Sequence, residues 1–178
     1  MRALIVCESM FGNTRRIGEA VGESLDAYTK VDLVDVAAAP LTVPPEVELL
    51  VVGAPTHAFG LSRPGTRRSA EGQGAAVDPT VGLRDWLTQV KEVPAGLCAA
   101  AFDTRIRRPR LPGSAARAAN RRLKRLGLRP VAHPESFWVT ATAGPLLPGE
   151  VERALRWGHE LGAMIRAKRG DEEREARR

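Results

Sequence analysis

At 178 residues, 43% of them hydrophobic, the chain is long enough for one domain with a full core. Its formal net charge is +6, aromatic residues make up only 4%, and no apolar run approaches the roughly 20 residues that span a bilayer. A membrane span is therefore excluded, stacking platforms for single-stranded nucleic acid are poorly supplied, and no helix-turn-helix or zinc-finger spacing occurs.

The first stretch is the most informative. Residues 3–7, Ala-Leu-Ile-Val-Cys, form an apolar run with the β-branched content of a strand buried on both faces. A short loop, Ser9-Met10-Phe11-Gly12-Asn13-Thr14, then leads into a helical pattern with Ile17, Val21, Ser24, Leu25 and Tyr28 on one side. A hydroxyl- and amide-rich loop on a helix N-terminus is an anion site in outline, because the first helical N–H groups are unpaired and the dipole favours negative charge.

Residues 30–36 alternate apolar and polar and read as a half-exposed strand near a sheet edge. A Pro-bearing connection follows, and then Leu49-Leu50-Val51-Val52-Gly53, a second wholly apolar strand that exits through Pro55-Thr56-His57-Ala58-Phe59-Gly60. Residues 61–80 are rich in Gly, Ser, Arg and Pro without periodicity and read as a long loop, a kind that is usually functional. Leu83, Trp86, Leu87 and Val90 mark a helix face, and residues 96–102 form the next buried strand, with its exit at Phe102-Asp103-Thr104-Arg105.

Between residues 105 and 129 stand ten Arg or Lys and no carboxylate. Within that block Ser114 can cap a basic helix that has Ala116, Ala119, Leu123 and Leu126 as its apolar stripe and stops at Gly127. Such a block is either a solvated helix face or an attractor of anionic partners. A last strand is expected within 131–140, centred on 136–139. A helix follows from Pro148, with Val151, Leu155, Gly158, Leu161 and Ile165 inward. From Lys168 the chain is almost wholly charged, so the domain is drawn as 1–167 and residues 168–178 as a disordered tail. Strands alternating with helices, three of the strands apolar throughout, predict an α/β domain with a parallel sheet covered on both faces. The chain begins directly on a strand, without a charged-then-apolar leader, and a cytoplasmic protein is expected. Cys7 and Cys98 lie within strands, so free buried thiols are expected rather than a disulfide.

Spacing narrows the chemistry of the first loop. Neither G-x-G-x-x-G nor G-x-x-x-x-G-K-[ST] is present, which argues against a dinucleotide fingerprint and a P-loop. A cysteine-type phosphatase needs an arginine to close the phosphate loop, but Asn13 stands six positions after Cys7 and the first arginine of the loop is Arg15. Cys7 therefore reads as core. What remains is a lysine-free phosphate loop in which Ser9, Asn13 and Thr14 donate from side chains while Gly12 lets the backbone approach.

Ser9-x-Phe11-Gly12-Asn13-Thr14 closely resembles the FMN-phosphate loop of the flavodoxin-like family, with Phe11 where many members carry a hydroxyl. The resemblance covers roughly residues 2–166. It implies a three-layer doubly wound sandwich with a five-stranded parallel sheet of order 2-1-3-4-5. It also implies FMN as cofactor, with residues 9–14, 55–60 and 102–105 as the three binding segments. Within these, Phe59 is placed to stack on the flavin, His57 is the one candidate acid or base, and no catalytic or metal-binding residue is assigned. Trp86, Trp138 and Trp157 are assigned to packing. Family flavodoxins are acidic carriers, whereas this chain is basic. The departure points towards an FMN-dependent oxidoreductase as well as an electron carrier, with a redox partner protein, or NAD(P)H and a quinone-like or porphyrin-like acceptor. The rival reading is a cofactor-free interaction module that binds an acidic partner through its basic helix.

Overall fold

The computed structural model describes residues 2–57, 59–75, 80–108, 112–175 and 177. Strands β1 (Arg2–Cys7), β2 (Lys30–Asp35), β3 (Val47–Pro55), β4 (Cys98–Ile106) and β5 (Arg129–Pro130) lie in the order β2-β1-β3-β4-β5, and all pairings are parallel. This is the expected doubly wound order. The fifth position is shared: β5 pairs the start of β4, and β6 (Glu135–Val139) pairs its end, from Phe102↔Glu135 to Ile106↔Val139. One strand was expected within 131–140, centred on 136–139, and β6 lies there; β5 is an additional short strand, and Pro130 and Pro134 flank the break between the two.

Helices α1 (Asn13–Leu25) and α5 (Glu150–Glu175) cover one face; α3 (Leu83–Gln89) and α4 (Ala115–Arg125) cover the other. Strand alternation divides the core accordingly. Ala3, Ile5, Cys7, Val51, Ala100 and Phe102 face α1 and α5, where Phe102, Phe137 and Trp157 meet edge to face. Leu4, Val6, Leu50, Val52, Ala99 and Ala101 face Trp86, Leu87, Ala119 and Leu123. The central strands bury apolar side chains on both faces, which is why they read as unbroken apolar runs.

Three expectations change. The stretch 61–80 is not a structureless loop, since α2 (Pro64–Glu71) occupies its first half. Its inward residues are only Ala70 and Arg67, so a buried arginine stands where a helix normally shows a hydrophobe, and the periodicity is hidden. β4 runs on to Ile106, so residues 102–105 belong to a strand and not to a loop. α5 continues past 167 to Glu175, and the Arg169 guanidinium ion-pairs with Glu48 of β3. Both cysteines are buried and free, and burial, with Asp35 adding to it, pushes the Cys7 thiol well above its usual range. Ser114 caps α4 as expected, its Oγ accepting from the Arg117 amide at 3.1 Å.

β6 lies at the sheet edge, and its outward polar groups are taken up by its own surroundings. Glu150 accepts from the Trp138 amide at 2.9 Å, the Leu147 amide donates to the Trp138 carbonyl, and Arg153 donates to the Ser136 carbonyl. Thr140 donates its amide to Pro145 O at 3.0 Å.

Candidate functional site

The loop after β1 turns on Gly12, whose φ of +83° is left-handed and which is the N-cap of α1. Nothing lies within 4 Å of where a Cβ would sit, so it is the backbone conformation that calls for glycine. The Arg15 amide donates to Ser9 Oγ at 3.1 Å, leaving the Ser9 hydroxyl proton available. The amides of residues 10–14 have no acceptor among the described residues. They form a concave donor array at the positive end of a thirteen-residue helix, as an anion requires.

The other two expected donors are tied down. Asn13 Nδ2 donates to Gly144 O at 2.6 Å, and Thr14 Oγ1 shares a buried 2.7 Å hydrogen bond with Thr104 Oγ1. Thr14 therefore anchors the loop to β4, and Asn13 anchors it to the turn that follows β6. Met10 is buried beneath α2, against Ala70 and Ala75, with Phe11 packed on the same small cluster.

A cleft of about 180 Å³ opens beside this loop, lined by Asn13, Thr14, Pro55, Thr56, His57, Thr104, Arg105, Ile106, Val139 and Thr142, with Met10 and Phe11 at its edge. Residues of all three predicted segments thus meet at the carboxyl ends of β1, β3 and β4. The segment after β3 is a tight hairpin in which His57 and Gly60 exchange backbone hydrogen bonds of 2.9 Å. Its tip carries Phe59, at φ +74° and 61% exposed, the most exposed large hydrophobe among the described residues. Ala58 lies outside the described residues. A Cβ on Gly113 would come within 2.0 Å of Phe59 O, so the hairpin rests directly on the turn that precedes α4. Burial lowers the His57 pKa below its ordinary 6.5, which leaves the ring neutral at pH 7.

Two of the predicted residues turn away from the cleft. Phe102 is fully buried on the α1/α5 face. Asp103, also fully buried, points to the opposite face, as strand alternation requires. Its Oδ2 accepts from Thr56 Oγ1 at 2.9 Å, Ser114 Oγ at 2.6 Å and the Ala116 amide at 3.0 Å, while Thr56 Oγ1 accepts from the Ala115 amide at 2.9 Å. Asp103 thereby fastens the first turn of α4 to the ends of β3 and β4. Arg105 Nη1 donates to Gly113 O at 2.6 Å, and its guanidinium lies 5.8 Å from the centre of the Trp138 ring.

No protein-family model matches the sequence, and no curated protein matches it. Solved structures do match. A flavodoxin from the domain Archaea superposes with a TM-score of 0.65 at 17% identity, over 93% of this chain and 99% of its own. Oxidised flavodoxin 1 from Bacillus cereus gives 0.65 at 16% identity, over 93% and 97%. The Flv1 flavodiiron core from Synechocystis sp. PCC6803 gives 0.57 at 12% identity, over 94% of this chain and 36% of its own. The fold is that of the flavodoxins.

In a flavodoxin fold the strand order reverses at β1 and β3, and the cleft here opens outside the carboxyl ends of those strands, where open α/β sheets take their ligands. Sequence reasoning missed the polar support beneath this end of the sheet. Glu8, only 2% exposed, accepts from the Leu83 amide at 2.8 Å and so caps α3 from β1's exit. Arg67 is wholly buried; it donates to Ser62 Oγ at 2.9 Å and to Asp85 Oδ2 at 2.7 Å, and Asp85 also accepts from the Gly82 amide at 3.0 Å. Charged residues in a polar stretch give no periodic signal, and only an acid directly after an apolar strand, as Glu8 is, hinted at burial. Among the described residues no three His, Cys, Asp or Glu converge to hold a metal, and no helix is long and apolar enough to cross a membrane.

Proposed function

We propose that this chain binds FMN in the cleft at the carboxyl ends of β1, β3 and β4 and transfers electrons through it. The observation that carries this reading is the array of unpartnered amides over residues 10–14 around left-handed Gly12, opening next to a cleft lined by all three segments. Those amides and the Ser9 hydroxyl would hold the terminal phosphate; Pro55, Thr56, His57, Thr104 and Arg105 border the space for the rest of the cofactor. FMN, when bound, supplies redox chemistry that no side chain here provides. The protein positions it, shields one side and sets the local charge through Arg105. Neutral His57 offers a nitrogen that can accept or donate a hydrogen bond at the cleft wall. The finer assignment is an oxidoreductase that takes electrons from NAD(P)H or a redox partner protein and reduces a quinone-like or porphyrin-like acceptor. It rests on the basic charge of the chain alone.

The test is the titration of FMN and riboflavin by flavin-fluorescence quenching. Ser9→Ala should weaken FMN by about tenfold, since a charge-assisted hydrogen bond to phosphate is lost, and leave riboflavin nearly unchanged. Equal weakening of both ligands would refute the phosphate assignment; no binding of either would refute the cofactor. Steady-state NADH and NADPH oxidation with a quinone then separates enzyme from carrier.

A further inference from the structure

Arg63, helix α3 and helix α4 carry basic side chains that form no ion pair among the described residues. Arg84 is fixed by donating to Ser62 O at 2.9 Å and Leu61 O at 2.7 Å. Its pKa is lowered first by burial and then by the nearby Arg122 and Arg63 charges. Arg122 of α4 donates to Thr88 Oγ1 of α3 at 3.0 Å, so its guanidinium lies on the packed pair α3 and α4 that also carries Arg84, while Asp85 pairs with Arg67. Along α4, Arg117 and Arg121 are exposed one turn apart. None of Arg63, Arg84, Arg117, Arg121 or Arg122 forms an ion pair among the described residues. Like charges on one face repel one another, and an arriving anion relieves part of that repulsion.

Next to this surface stands Phe59, 61% exposed in a left-handed conformation on a two-hydrogen-bond hairpin. Its main chain is braced by Gly113, whose carbonyl also receives Arg105. Arg105 and Arg117 both line the basin of about 770 Å³ between α4 and β6, so cations continue from the cleft mouth onto α4. A rigid, exposed aromatic with an arginine border has the anatomy of a protein-docking surface. With one exposed aromatic and 4% aromatics overall, it does not have that of a nucleic-acid track.

We propose that the face formed by Phe59, Arg63, Arg84 and the exposed side of α4 docks an acidic redox protein over the mouth of the cleft. The proposal rests on the FMN reading for its redox sense, but the surface is measurable without flavin. The test measures binding of plant-type [2Fe–2S] ferredoxin, an acidic probe, to the chain with and without FMN by surface plasmon resonance at low and high salt. Cytochrome c, a basic protein, and a short DNA duplex serve as comparisons. Ferredoxin should bind with an affinity that falls as salt rises, and cytochrome c should not bind. Arg117→Glu with Arg121→Glu should weaken ferredoxin by about tenfold or more. Arg156→Glu with Arg166→Glu, exposed on α5 across the sheet and equal in charge change, should alter it less than about twofold. Equal losses in both double variants would mean that net charge alone acts and would overturn the surface; so would duplex DNA binding more tightly than ferredoxin. Absence of FMN binding with ferredoxin binding intact would overturn the functional reading and leave the surface standing.

Discussion

Asp103 and Glu8 are both buried carboxylates at strand exits, yet their surroundings treat them differently. Asp103 receives three hydrogen bonds on one oxygen, two from hydroxyls and one from the first turn of α4. Asp103→Ala strands all three donors in the interior and should cost about 3 kcal/mol in urea unfolding, whereas Asp103→Asn, which keeps an acceptor, should cost clearly less. Glu8 is dominated by desolvation, which raises its pKa above 4.5 despite the opposing hydrogen bonds and the Arg67 charge. Between 4.5 and that raised value the folded state holds more protons than the unfolded one, so stability falls as pH rises through the interval. Glu8→Gln keeps an acceptor for the Leu83 amide and removes the slope. Its stability relative to the parent should therefore improve as pH rises above 4.5 and level off once the folded Glu8 has ionised, as read by urea melts at a series of pH values. Neither role was legible beforehand. Asp103 was expected at a ligand because its strand was read as ending at Phe102, and Glu8 carried no motif at all.

Among the elements, the first loop was the most readable, because a glycine set between an apolar strand and a helical pattern marks a left-handed turn. Gly12→Ala meets no neighbour but must hold φ near +83°, so about 1 kcal/mol of stability should be lost. FMN affinity should drop with it, since the amide array depends on that angle; urea melts and flavin titration read the two effects apart. β1, β3 and β4 were legible for a different reason: burial on both faces demands unbroken apolar sequence. α2 was hidden because its inward anchor is Arg67, which is satisfied by Ser62 and Asp85 and not by apolar packing. Such an anchor depends on a residue eighteen positions away, and local pattern cannot report it.

For the whole molecule, the strand order could be read from alternation and right-handed crossovers, while the split of the fifth strand could not. Net charge was legible too, and the fold brings part of it to the cleft: Arg105 lines it, while buried Asp103 does not oppose it there and His57 is neutral at pH 7. Reduction of FMN adds negative charge, which nearby cations favour. The two-electron potential of the FMN-loaded protein should therefore lie above that of free FMN, and Arg105→Gln should lower it; a redox titration reads both. The edge strand β6 carries a consequence of another kind. Exposed strand edges recruit neighbouring chains, and here Glu150, Arg153 and the 145–147 turn occupy the outward backbone groups of residues 136–140 before a second molecule can. Arg153→Ala should accordingly leave FMN affinity unchanged yet lower the temperature at which heated solutions scatter light. The same few side chains that finish the sheet keep it from growing into an aggregate.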